Sequence, residues 1–231
     1  WSPNPATNCS KLKARGPYRE TMGTELRDSS LSSHGRSTAL LGLILVAIAP
    51  AVSIITGFVF KAGLLAVLVF CITKVWLFGL PAYWHMKVEG KPFAWSPPKN
   101  GGWLVSLGLG IGIILVIIGA YVLLGEMMID QQTLYELLGP VGLTTPTKLA
   151  GAILFWVFIN SVLEEYVFRW FITSKLEELT GRKWTAVFLS AGIFTFHHTI
   201  ALMMFINPLG TFIASLGVFI GGAIFSWIYL Q

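Results

Sequence analysis

Charge is what this sequence has little of: 12% of its 231 residues are Asp, Glu, Lys or Arg, against 55% apolar. A soluble domain of this size carries about a quarter charged residues. A chain so poor in charge cannot cover a water-facing surface with polar groups, and its mean hydropathy of +0.72 points to lipid as its solvent. Cysteine is also scarce. Cys9 lies in a polar tail and Cys71 in an apolar run, which excludes a disulfide framework and a cysteine metal motif and leaves the redox compartment open. The N-terminal stretch has no apolar h-region, which excludes a secretory signal. There is no HExxH spacing and no repeat of solenoid length.

What is abundant is apolar sequence in long runs. Six of them cover about 38–60, 63–84, 103–125, 147–174, 184–206 and 209–230, each near the roughly 20 residues that a helix needs to cross a bilayer. A lipid-exposed backbone must satisfy its own hydrogen bonds, so these runs read as helices. The expected fold class is all-α, a polytopic transmembrane bundle of about six spans, with a polar tail over 1–37 and a transmembrane domain over 38–231. Trp84, Trp95, Trp103 and Trp184 fall at or near span ends, where indole anchors at the interface. Between spans three and four, Met127, Met128, Ile129, Leu134, Tyr135, Leu137 and Leu138 alternate with polar residues, which suits a short interfacial helix before the Gly139-Pro140 break. Gly108/Gly112 and Gly217/Gly221 each give a GxxxG spacing, the pattern that lets helices approach closely. The chain opens on Trp1 and closes on Gln231 directly after the apolar run Gly217–Leu230. Both ends lead to the expectation of a partial chain, short of one or two further spans.

The net charge of +5 does not point to nucleic acid, because the basic residues are spread through tails and loops. Six lie in the tail, Lys87, Lys91 and Lys99 follow span two, and Lys175, Arg182 and Lys183 follow span four. If spans alternate, these twelve share one side, and only Lys61 and Lys148 fall on the other. That asymmetry places the N-terminus inside.

The residues that carry chemistry lie inside the spans. Span four contains Asn160-Ser161-Val162-Leu163-Glu164-Glu165-Tyr166-Val167-Phe168-Arg169. An Asp, Lys or Arg at a helix centre costs about 2.5–3.5 kcal/mol on insertion scales, so such groups pair with each other or line a polar cavity. Glu165 and Arg169, at i and i+4, can pair along one face. Glu164 lies about 100° round the helix from Glu165 and is free to serve as a general base. A buried polar network holding helices together is the competing role for all three. Span five offers Phe194-Thr195-Phe196-His197-His198-Thr199. Adjacent residues diverge by about 100°, so the two imidazoles are not expected to face one site, and a glutamate of span four is the obvious partner for one of them. One or two His with a Glu can also bind metal, but the spacing that puts two His on one helix face is absent. Neither a metal nor a cofactor is expected. Lys74, deep in span two, reads as one member of a structural ion pair rather than as a catalytic group.

Glu164-Glu165-x-x-x-Arg169 followed by Phe194-x-x-x-His198 resembles the first two motifs of the CPBP family, the CAAX proteases and bacteriocin-processing enzymes also called Abi proteins. The resemblance covers about 149–231, and the stretch from Trp95-Ser96-Pro97-Pro98 to Trp103 also looks like bacterial members. It implies a metal-independent, glutamate-dependent intramembrane endopeptidase, a hydrolase with catalytic residues Glu164, Glu165, Arg169 and His198. In that reading Glu164 activates water, Glu165 and Arg169 hold the site, and His198 orients the water or stabilises the oxyanion. The implied partners are membrane lipid and a hydrophobic or lipidated protein substrate entering from the inner face. The family pattern also has a third motif, His-x-x-x-Asn or His-x-x-x-Asp, and no His follows His198 in this sequence. A non-catalytic subunit or scaffold of a larger membrane complex, built on the same fold, is the alternative. A small transporter with a Glu/His proton relay is a third reading, which the lack of paired half-helix breaks disfavours. The expected location is a bacterial plasma membrane, with a plastid membrane as the alternative.

Overall fold

The computed structural model describes residues 33–60, 63–92, 103–140 and 142–231. Among them six helices are long and apolar enough to cross a membrane. The protein is an all-α, polytopic integral membrane protein. Helix α1 covers Ser33–Ile54 and runs on through a π turn at Ile55–Val59. Helix α2 covers Leu64–Tyr83 and ends in a second π turn, Trp84–Val88. Helix α3 is Trp103–Met128, and α4 is the short Gln131–Leu138. Helix α5 is continuous over Pro146–Thr180, with π segments at Trp156–Asn160 and Tyr166–Thr173. Helices α6 and α7 are Lys183–Leu202 and Pro208–Tyr229.

The ends of these helices follow local chemistry. Pro146 and Pro208 open α5 and α7 at positions whose N–H has no intrahelical partner anyway. Asn207 caps α7 by accepting from the Gly210 N–H at 2.8 Å. Asp130 caps α4, accepting from Gln132 N at 3.0 Å and Thr133 N at 3.2 Å. Gly181, at φ 63°, ends α5 in the left-handed conformation that glycine adopts without strain. The interfacial helix expected between spans three and four is α4. The first helix starts at Ser33, inside the stretch expected to be irregular. Residues 1–32 and the Trp95–Gly102 stretch lie outside the described residues.

The buried core joins α1, α2, α5 and α6 through Leu43, Val46, Leu77, Trp84, Val167, Phe168, Phe171, Ile172, Leu176 and Ala186. Its centre is the second π segment of α5, where six of eight residues are buried. The wide turn is closed by Thr173 Oγ1, which donates to the Phe168 carbonyl five residues back at 2.7 Å. Helix α3 has none of its apolar window buried in the protein, and its Leu, Ile and Val side chains are left to lipid.

Helices α6 and α7 approach closely through small residues other than those expected. A Cβ added at Gly108, Gly112, Gly217 or Gly221 would meet nothing within 4 Å, so neither GxxxG pair packs against another described helix. A Cβ at Gly222 would meet Phe194 at 3.3 Å and Ala191 at 3.5 Å. Gly222 and Ser226, one turn apart on α7, face Ala191 and Ser190 on α6. The contact is a small-xxx-small one offset from the glycine pattern.

Two sets of contacts define the sides of the bundle. Glu89, just past α2, is salt-bridged to Lys175 near the end of α5. At the opposite side Asn207 N donates to Met128 O at 2.9 Å, tying the end of α3 to the turn between α6 and α7. Successive spans therefore alternate in direction.

Candidate active site

Glu164 and Glu165 sit between the two π segments, about midway along α5. They diverge as adjacent helical residues must. Glu165 Oε2 accepts from Arg169 Nε at 3.1 Å. The Arg169 side chain is buried, and its Nη1 donates to Ser226 Oγ on α7 at 3.1 Å. The guanidinium carbon stands 5.1 Å from the Phe194 ring centre and 5.9 Å from that of Phe225, within cation–π range. Thr173 Oγ1 lies 2.8 Å from Ser190 Oγ, which completes a polar tie across α5, α6 and α7. Arg169 thus binds three helices together, and Glu165 is its partner.

Glu164 faces the other way, into a cavity of about 420 Å³ bounded by α1, α2, α5 and α6. Its Oε1 accepts from Asn160 Nδ2 at 2.7 Å. Asn160 Oδ1 accepts in turn from the Lys74 ammonium on α2. Glu164 Oε2 stands 4.0 Å from His198 Nε2, too far for a direct hydrogen bond and near enough for both atoms to share one water. His198 Nδ1 lies 2.9 Å from the Phe194 carbonyl, an acceptor. Nδ1 therefore carries a hydrogen, and Nε2 is the ring nitrogen turned toward Glu164.

Residues 146–231, from the first residue of α5 onward, match the family model described as type II CAAX prenyl endopeptidase Rce1-like. This stretch is similar to an Rce1-like domain. The match bears out the resemblance to the CPBP family and to CAAX proteases. No curated protein and no solved structure matches the chain.

The matched stretch supplies Glu164, Glu165, Arg169, His197 and His198, but it does not enclose the cavity alone. Pro50, Ser53 and Ile54 of α1 and Phe70, Thr73, Lys74 and Leu77 of α2 form the opposing wall. Lys74, expected in a structural ion pair, is instead linked to Glu164 through Asn160. The signal for it was present in the sequence, a charge deep in a span, but its partner could not be found without knowing that α2 packs on α5.

The second correction concerns the double histidine. The rings of His197 and His198 are 4.1 Å apart, and both residues line the cavity. Their backbone directions diverge, yet both residues border the same cavity. His197 is buried, stacked on Phe168 at 5.3 Å, and its Nδ1 makes no well-formed hydrogen bond among the described residues.

Glu164, His197 and His198 together offer one oxygen and two nitrogens within 4.8 Å of one another, a donor set that zinc accepts. Tetrahedral bonds of about 2 Å bring ligand atoms to about 3.3 Å of each other, closer than the 4.0 Å between Glu164 Oε2 and His198 Nε2. The spacing fits a water molecule better than it fits a metal ion.

The walls of the cavity come from the later part of α1, from Ala66 to Leu77 of α2, from Trp156 to Phe168 of α5 and from the end of α6, together with Phe205 beyond it. It leans toward the α1–α2 turn, away from the N-terminal end of α1.

Proposed function

We propose that the protein is a glutamate-dependent intramembrane endopeptidase of the CAAX type, acting on hydrophobic or lipidated peptides. The observation that carries this reading is Glu164 Oε2 standing 4.0 Å from His198 Nε2 at the wall of a cavity within the spans. A water shared by these two acceptors donates one hydrogen to each and turns its oxygen lone pairs outward, the geometry of a nucleophile held by a general base. As the water oxygen bonds to the scissile carbonyl carbon, its proton passes to Glu164. When the tetrahedral intermediate collapses, the C–N bond breaks and Glu164 returns that proton to the departing amine. His198 orients the water. Glu165 and Arg169 keep α5 in register with α6 and α7.

The chain sits in the membrane with its N-terminus inside, as the twelve-to-two division of Lys and Arg supports. The cavity then leans toward the outer side, which disfavours entry of substrate from the inner face. We favour the charge distribution, with substrate reaching the cavity laterally or from the outer side. A bacterial plasma membrane suits this arrangement, with a plastid membrane as the alternative.

The test is cleavage of a farnesylated CAAX peptide by the protein in liposomes, compared with Glu164→Ala and His198→Ala. Loss of cleavage in both supports the reading. Cleavage unaffected by both substitutions rejects it and leaves the scaffold role.

A further inference from the structure

Lys74 belongs to neither motif and lies on α2, outside the matched stretch. Its ammonium donates to Asn160 Oδ1, and Asn160 Nδ2 donates to Glu164 Oε1 at 2.7 Å. Asn160 is buried, at 5% exposure. A buried carboxamide is nearly symmetric in shape but not in chemistry, with an acceptor at one end and donors at the other. Turned the wrong way round, it would set its oxygen against the carboxylate of Glu164. An ammonium has donors only, so Lys74 accepts no arrangement except the one with Oδ1 toward it. The NH₂ end must then face Glu164. With Oε1 occupied by that bond, Oε2 is the oxygen left toward His198.

We propose that Lys74 is a positioning residue for the site: by fixing the orientation of the Asn160 amide, it selects which carboxylate oxygen of Glu164 is available to act as base. This inference rests on the reading of Glu164 as the general base. It also means that the site is completed by the helices that precede the matched stretch. A lysine that served only to hold α2 against α5 would affect stability and leave turnover alone.

Steady-state cleavage of the farnesylated peptide in liposomes separates these roles. Lys74→Met is expected to lower kcat about 10- to 100-fold while KM stays within about twofold, the size of effect that misplacing a catalytic group produces. Lys74→Arg keeps a donor-only cation and is expected to recover most of that loss. Asn160→Ala should fall as far as Lys74→Met, and the double substitution no further, because both remove one link. Melting temperatures in detergent show whether each variant is folded. If Lys74→Met does not fold, Asn160→Ala decides, and a wild-type kcat there overturns the inference. Losses that multiply in the double variant overturn it as well. Glu164→Gln measured alongside keeps the two claims apart. If Glu164→Gln is inactive while Lys74→Met and Asn160→Ala turn over normally, only the role of Lys74 fails. If Glu164→Gln turns over normally, the general-base reading fails with it.

Discussion

Glu164 Oε2 and His198 Nε2 face each other across 4.0 Å, and each is held from behind by a separate hydrogen bond. Asn160 fixes the carboxylate, and the Phe194 carbonyl fixes the imidazole tautomer. A carboxylate oxygen and an imidazole nitrogen held apart at that distance form a seat for one water.

His198→Ala removes one side of that seat and leaves the base in place. The expected result is a loss of about 100-fold or more in kcat, typical of an acid–base partner, with little change in KM. Peptide cleavage followed by mass spectrometry measures both. A fall in affinity at unchanged kcat would instead make His198 a binding residue.

Gly222 sets the distance between α6 and α7. Gly222→Leu drives a side chain into Phe194, whose ring packs against Arg169 and whose carbonyl holds His198. Overpacking of this kind costs about 1–3 kcal/mol, and the variant should melt lower and lose activity together. Gly217→Ala and Gly221→Ala, which meet open space, should melt like the wild type. If these two prove as damaging as Gly222→Leu, the helices pack through the GxxxG pair after all.

The loop ends of α2 and α5 carry a pH-dependent tie. Burial opposes ionisation of Glu89, but hydrogen bonds and charge from Lys175 and Lys91 outweigh it and hold the carboxyl below its ordinary 4.5. The Glu89 hydrogen bond raises Lys91 above its ordinary 10.5, against a smaller opposing effect of burial. A depressed carboxylate adds stability above its unfolded value and loses it as pH falls through the folded one. A raised amine does the reverse at the alkaline end. The tie is therefore complete between pH 4.5 and 10.5. Melting temperature in detergent should drop below the acid limit, and Glu89→Gln should flatten that drop. An unchanged acid limb in Glu89→Gln would show that other carboxyls govern it.

The orientation can be read from single cysteines in a chain carrying Cys9→Ser and Cys71→Ser. Glu136 lies exposed on α4, on the cavity side, and Arg182 lies exposed between α5 and α6 on the other side. A membrane-impermeant maleimide added to intact cells should label Glu136→Cys, and should label Arg182→Cys only after lysis. The opposite pattern would put the N-terminus outside and the cavity toward the cell interior.

The number of spans and their rough limits were legible in the sequence because a lipid-spanning helix leaves a run of apolar residues whatever it packs against. The pairing of Glu165 with Arg169 was legible because both residues share one helix face. The surroundings of Lys74 and His197 were not, since each has its neighbour on another helix. A charge within a span announces that a partner exists without naming it. The 100° rule also misled for His197 and His198: it describes where Cβ atoms point, and a cavity wide enough collects both rings. The offset from Gly217/Gly221 to Gly222/Ser226 has a similar origin, because spacing shows that small residues recur and only packing shows which of them meet the next helix.

The central claim is that Glu164 supplies the base. Glu164→Gln is the most direct test, because the amide keeps the size of the side chain and an oxygen that can accept from Asn160 Nδ2, but cannot take a proton from water at neutral pH. Wild type and Glu164→Gln, matched for melting temperature and reconstituted in the same liposomes, are given the farnesylated CAAX peptide, and its new C-terminus is quantified by mass spectrometry. The account predicts cleavage by the wild type and a rate at least about 100-fold lower in Glu164→Gln. Equal rates in the two proteins would contradict it.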